Sequence, residues 1–119
     1  MNKMIFFLAL AFATTLARAG DHPDVIVRII TVNQHPVIQP IPDIDTDDSE
    51  QGLVWQLEGP YQFADNGIVI PESHGAHECH KGAGGRRFRC DKRGPQQPRY
   101  KYNVNVNGVD PLDPVILNH

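Results

Sequence analysis

Tyr100-Lys101-Tyr102-Asn103-Val104-Asn105-Val106 is the stretch that decides the fold class. Tyr100, Tyr102, Val104 and Val106 alternate with Lys101, Asn103 and Asn105. A period of two gives a strand one apolar and one polar face. Asn107-Gly108 follows as a turn signal, and Val115-Ile116-Leu117 can close the chain as a last short strand. Upstream, Arg87-Phe88-Arg89-Cys90 repeats the logic, with Phe88 and Cys90 inward and the arginines outward.

Further upstream, Val25-Ile26-Val27-Arg28-Ile29-Ile30-Thr31-Val32 is β-branched and nearly continuous, which suits a strand buried on both faces. Pro36, Pro40 and Pro42 make the next stretch an edge or a loop. Residues 43–50 read as an acidic linker. Leu53-Val54-Trp55-Gln56-Leu57 is a second main strand, turned by Gly59-Pro60. Asn66-Gly67 then predicts a hairpin turn into Ile68-Val69-Ile70. Residues 72–99 read as a loop region rich in His, Cys and Arg. No helical stripe interrupts this series, so the expectation is all-β: a small antiparallel β-sandwich of Ig-like or cupredoxin-like type with one disulfide.

The first 19 residues read differently. Lys3 supplies a short positive region, Met4 to Leu16 is almost unbroken apolar sequence, and Ala17-Arg18-Ala19 is a cleavage signal. These are the parts of a secretory signal peptide over 1–19, with a cut after Ala17 as the other chemically reasonable site. The apolar run is shorter than the ~20 residues of a membrane span. No second apolar segment follows, so no transmembrane segment is expected beyond the leader. Residues 20–119 then form a single exported domain, periplasmic or secreted.

Export sets the redox context. Cys79 and Cys90 meet an oxidising compartment, where a disulfide is the default state. The loop it closes is worth roughly 3 kcal/mol in the chain-entropy model.

The whole chain of 119 residues has a formal net charge of −3. Without Lys3 and Arg18 the balance is nine basic against fourteen acidic residues, a net charge of −5. Residues 20–78 hold one basic residue, Arg28, against 11 acidic ones, while residues 79–119 hold eight basic residues against three acidic ones. That split allows the second half to form a basic surface for an anionic partner.

Phe88-Arg89-Cys90, the loop 91–99 and the strand from Tyr100 to Val106 resemble the end of a cupredoxin-like sandwich. There a strand ends in a cysteine, a loop follows, and a final strand of Tyr-x-Tyr/Thr-x-Val type closes the sheet. The resemblance implies a β-sandwich and raises the question of copper. A blue-copper site needs a His, and usually an axial Met or Gln, after the Cys. The loop after Cys90 has neither His nor Met. The type-1 site is therefore absent, and Cys90 is expected to pair with Cys79. The layout is also similar to that of small secreted bacterial β-sandwich proteins.

Four stretches can carry chemistry. Cleavage after Ala19 would leave Gly20-Asp21-His22, whose free amine, two amides and imidazole form a square-planar set suited to Cu(II) or Ni(II). His74, His77 and His80 recur at three-residue spacing and are candidate ligands for Cu(II), Ni(II) or Zn(II). Asp43-Ile44-Asp45-Thr46-Asp47 has the start of a calcium loop but lacks its glycine at Asp48 and its glutamate at Val54. Arg86, Arg87, Arg89, Lys92, Arg93, Arg99 and Lys101 form a basic segment suited to anionic polysaccharide, lipopolysaccharide or an acidic protein. Export and the negative net charge speak against nucleic acid.

Catalysis has little support. Only Ser49 and Ser73 follow the leader, and Ser73 beside His74 in sequence is not a triad. The reading is an exported, non-enzymatic binding or structural module without a firmly implied cofactor. Its alternatives are a Cu, Ni or Zn binder and an anionic-surface binder.

Overall fold

The computed structural model describes residues 22–47 and 49–119, and the side chain of His74 lies outside that description. The leader, Gly20, Asp21 and Asp48 also lie outside it. The described chain is all-β, with eleven strands and two short 3₁₀ turns. The strands are β1 (Val25–Val27), β2 (Ile29–Val32), β3 (His35–Ile38), β4 (Ile44–Thr46), β5 (Gly52–Leu57) and β6 (Phe63–Val69). After the turn Glu72–His74 come β7 (His77–Lys81), the turn Ala83–Gly85, β8 (Arg87–Lys92), β9 (Arg99–Lys101), β10 (Asn103–Val106) and β11 (Val115–Asn118). Among the described residues no helix is long and apolar enough to cross a membrane.

The strands form four hydrogen-bonded sheets, ordered β1-β5-β8-β7, β10-β6, β4-β11-β9 and β2-β3. The pairing is not wholly antiparallel as expected: β1 runs parallel to β5, and β4 parallel to β11. Both parallel pairs join strands far apart in sequence, which local turn signals do not report.

The alternation from Tyr100 to Val106 holds, and all four apolar side chains are buried. The strand is nevertheless two strands. Tyr102 donates its amide to the carbonyl of Pro114 at 3.0 Å. On one side of it β9 pairs with β11, and on the other β10 pairs with β6. One apolar face thus serves two sheets.

The run from Val25 to Val32 also divides, at Arg28. β1 buries Val25 and Val27, whereas β2 leaves with β3 and is largely exposed, contrary to the double-sided burial expected. β2 and β3 are joined by Asn33-Gln34, both at positive φ (51° and 68°). Two successive left-handed residues make the tight turn whose twist matches a hairpin.

Three further expectations are corrected. The acidic linker 43–50 contains β4, because Ile44 and Thr46 alternate with Asp45 and turn inward. The loop region 72–99 contains β7 and β8, a hairpin whose connection is residues 82–86. Asn66-Gly67 is no turn but lies within β6. A Cβ on Gly67 would stand 2.8 Å from the ring of Phe88 and from Phe63 Cβ, so the glycine answers to close packing.

The core gathers Val27, Leu53, Trp55, Leu57, Phe63, Phe88, Tyr102, Val104 and Ile116. Trp55 Nε1 donates to the Tyr102 hydroxyl at 3.1 Å, and the two rings lie 5.3 Å apart. Phe63 and Phe88 meet edge to face at 5.5 Å.

Candidate functional site

The register of the β1-β5-β8-β7 sheet assigns its two faces. Leu53 stands opposite Cys90 and Trp55 opposite Phe88, all buried on the core side. The residues between them face outward, so Val54 is opposite Arg89 and Gln56 opposite Arg87. On β7, His80 is opposite Arg89 and Glu78 opposite Asp91. The outer face therefore carries Gln56, Arg87, Val54, Arg89, His80, Asp91 and Glu78 in cross-strand rows.

Charge on this face is ordered by neighbours. Arg87 donates to Gln56 Oε1 at 2.9 Å, and Arg89 Nε to Asp91 Oδ1 at 2.7 Å. Glu78 takes both Nε and Nη2 of Arg93, at 2.9 and 2.6 Å, and lies 3.2 Å from His80 Nε2. The Arg93 guanidinium beside Glu78 holds that carboxyl below the usual range, and Glu78 in turn raises Arg93. At the sheet's end Lys81 donates to Asp65 at 2.7 Å, which lowers the Asp65 carboxyl.

A surface groove of about 610 Å³ opens at the end of β5 and the start of β8, lined by Gln56, Glu58, Gly59, Ala83, Arg86 and Arg87 among others. Glu58 is turned toward Arg28, whose Nε donates to it at 3.0 Å. A second concavity of about 220 Å³ includes Val54, His80, Lys81, Arg87 and Arg89. Arg87 lines both, so the two form neighbouring parts of one basic surface. Arg86 is exposed and has no side-chain hydrogen bond or ion pair among the described residues.

The candidate basic segment is thus divided by the fold. Arg86, Arg87 and Arg89 come together. Lys92 points the other way and donates to Thr46 Oγ1 at 2.9 Å and to the carbonyl of Asp47 at 2.7 Å. Arg93 belongs to Glu78. Arg99 and Lys101 lie on β9 in another sheet, with Lys101 3.7 Å from Asp113. Gln56, Glu58 and Lys81 were not singled out in the sequence, because nothing local places them beside the arginines.

Of the histidine cluster, His77 and His80 do not converge. Residues three apart on a strand point to opposite faces. His77 turns inward, with its ring centroid 6.0 Å from that of Tyr100, while His80 lies on the outer face. His74 belongs to the turn before β7. Among the described residues no three of His, Cys, Asp and Glu come together as a metal-holding group. His22 is exposed at the start of the described chain, and its partners Gly20 and Asp21 lie outside it. Cys79 and Cys90 are bonded to each other as expected and leave no free thiol.

No family model matches the chain, and no curated protein matches it.

Proposed function

We propose that the chain is an exported, single-domain β-sandwich that acts as a non-enzymatic binding module, and that its ligand is an anionic polysaccharide held on the outer face of the β1-β5-β8-β7 sheet. The observation that carries this reading is the convergence of Arg86, Arg87 and Arg89 on two adjoining concavities. Arg87 and Arg89 are alternate residues of β8, so their backbone positions lie about 7 Å apart along the strand and both side chains leave from the outer face. Guanidinium forks bind carboxylate and sulfate oxygens in pairs, and the Gln56 amide beside them suits sugar hydroxyls. The buried Val54 between Arg89 and the neighbouring β1 edge gives the surface an apolar floor.

A non-enzymatic role fits the other reactive groups. The Ser49 hydroxyl donates to Asp47, and both thiols are consumed by the disulfide. The test is retention on an immobilised acidic polysaccharide over a salt series. Arg86→Ala combined with Arg87→Ala should elute at clearly lower salt than wild type, since each lost contact weakens a screened interaction. Arg99→Ala combined with Lys101→Ala, on the other sheet, should elute with wild type. Salt-insensitive retention, or the reverse ranking of the two variants, would overturn the reading.

A further inference from the structure

The β2–β3 hairpin has one open edge and one closed edge. Gln39 donates its amide to the carbonyl of Arg28 at 2.8 Å, which sets the phase of the ladder. Counting from that bonded pair, Ile30–Val37 and Val32–His35 exchange hydrogen bonds within the hairpin. Thr31 and Pro36, opposite each other, point their backbone groups away from it. On the β3 side that outward position is proline, which has no N–H, and Val37 is already bridged to Asp110. On the β2 side it is Thr31, with both donor and acceptor, and among the described residues no strand lies beyond it.

The open edge is also apolar. Ile30 is 37% exposed and Val32 is 45% exposed, and both share one face of β2. Residues 29–42 contain no Asp, Glu, Lys or Arg, so the charges that usually protect a strand edge are missing from it.

We propose that β2 is a self-association edge, where two copies of this chain pair antiparallel about a two-fold axis through Thr31. A second copy of β2 fits this edge. With Thr31 opposite Thr31, Ile30 of each copy falls opposite Val32 of the other, so one Ile-Thr-Val triplet supplies two apolar cross-strand pairs to itself. An isologous contact sets a surface against its own likeness, and an uncharged strand meets no repulsion there. The product is a continuous β3-β2-β2-β3 sheet. This inference is independent of the basic groove.

Sedimentation velocity of the disulfide-bonded protein over a dilution series tests it, and a reversible dimer is expected. Thr31→Pro removes one outward N–H per copy while sparing the hairpin's own bonds. It should weaken dimerisation by about thirtyfold, the loss of two hydrogen bonds of ordinary strength. Thr31→Cys should cross-link into a covalent dimer in air. Ile30→Lys combined with Val32→Lys, both at exposed positions, should sediment as a monomer and guards against a misfolded proline variant. A monomer at every concentration, or a dimer that all three variants leave unchanged, would overturn the proposal. So would a monomer that uses this hairpin to hold lipid vesicles or a different protein.

Discussion

The imidazole of His77 donates through Nδ1 to the carbonyl of Gly75 at 2.9 Å, and its Nε2 is buried without a hydrogen-bond partner among the described residues. A carbonyl only accepts, so the proton sits on Nδ1 and Nε2 keeps its lone pair. Burial therefore holds the ring's pKa below the ordinary 6.5, helped by the ammonium of Lys92 and opposed by the bond to Gly75.

The first prediction concerns pH. Well above 6.5 His77 is neutral in both the folded and the unfolded chain. As pH falls through that value the unfolded chain takes a proton that the folded ring resists, so stability falls. Urea midpoints should drop between about pH 7.5 and about pH 5, and the drop should be smaller for His77→Asn, whose amide can still donate to Gly75. An equal drop in the variant would assign the effect to another group.

A second prediction concerns the core hydrogen bond. Tyr102→Phe keeps the ring but leaves the buried Nε1–H of Trp55 without its acceptor. The expected loss is about 1–3 kcal/mol. Trp55 is the chain's only tryptophan, so its fluorescence reports the unfolding curve directly. A loss well under this range would mean that water reaches the indole.

Reduction supplies a third. Cys79 and Cys90 face each other across β7 and β8, with a sequence separation of 11. Replacing both by Ala should cost roughly 3 kcal/mol in denaturant unfolding. β7 ends its sheet, so hydrogen exchange should rise there before it rises in β5. Equal protection in β7 and β5 after the replacement would contradict this.

The fourth turns on Gly67. An added methyl would meet the Phe88 ring and Phe63 Cβ at 2.8 Å. Gly67→Ala should destabilise by about 1–3 kcal/mol, the usual range for overpacking a core. A neutral result would show that the Phe63–Phe88 pair shifts freely.

Much of the fold was legible in the sequence, for physical reasons that also explain the rest. Tyr100 to Val106 announced itself because one face is wholly buried and the other is polar. Cys79 and Cys90 are bonded to each other, the pairing expected of the only two cysteines in the sequence. Alternation also exists in Ile44-Asp45-Thr46, but three residues among acidic neighbours give too little signal to separate a strand from a solvated linker. Asn33-Gln34 lacks the glycine that normally marks such a turn, so the β2–β3 hairpin stayed hidden. Asn66-Gly67 misled in the opposite sense, because its glycine serves the aromatic pair beneath it.

The candidate site was legible in part. Arg86, Arg87 and Arg89 were visible as a charge run, and the period of two already separated Arg87 and Arg89 from Phe88. That Lys92, Arg93, Arg99 and Lys101 have other partners depends on pairings with Thr46, Glu78 and β11 that no local pattern contains. The three-residue histidine spacing suggested a shared ligand, but on a strand it separates His77 from His80.

The parallel rung between β4 and β11 bears on the order in which the molecule assembles. Ile44 waits for Ile116, 72 residues downstream, whereas Val32 meets His35 across a two-residue turn. Closure entropy grows with the loop, and chains rich in distant pairings fold slowly, in milliseconds to seconds. The hairpin can therefore form early and independently, while Ile44 and Thr46 stay uncovered until β11 docks beside them. In that interval the inward side of β4 is open to chaperones, to proteases and to other unfinished copies of the same chain.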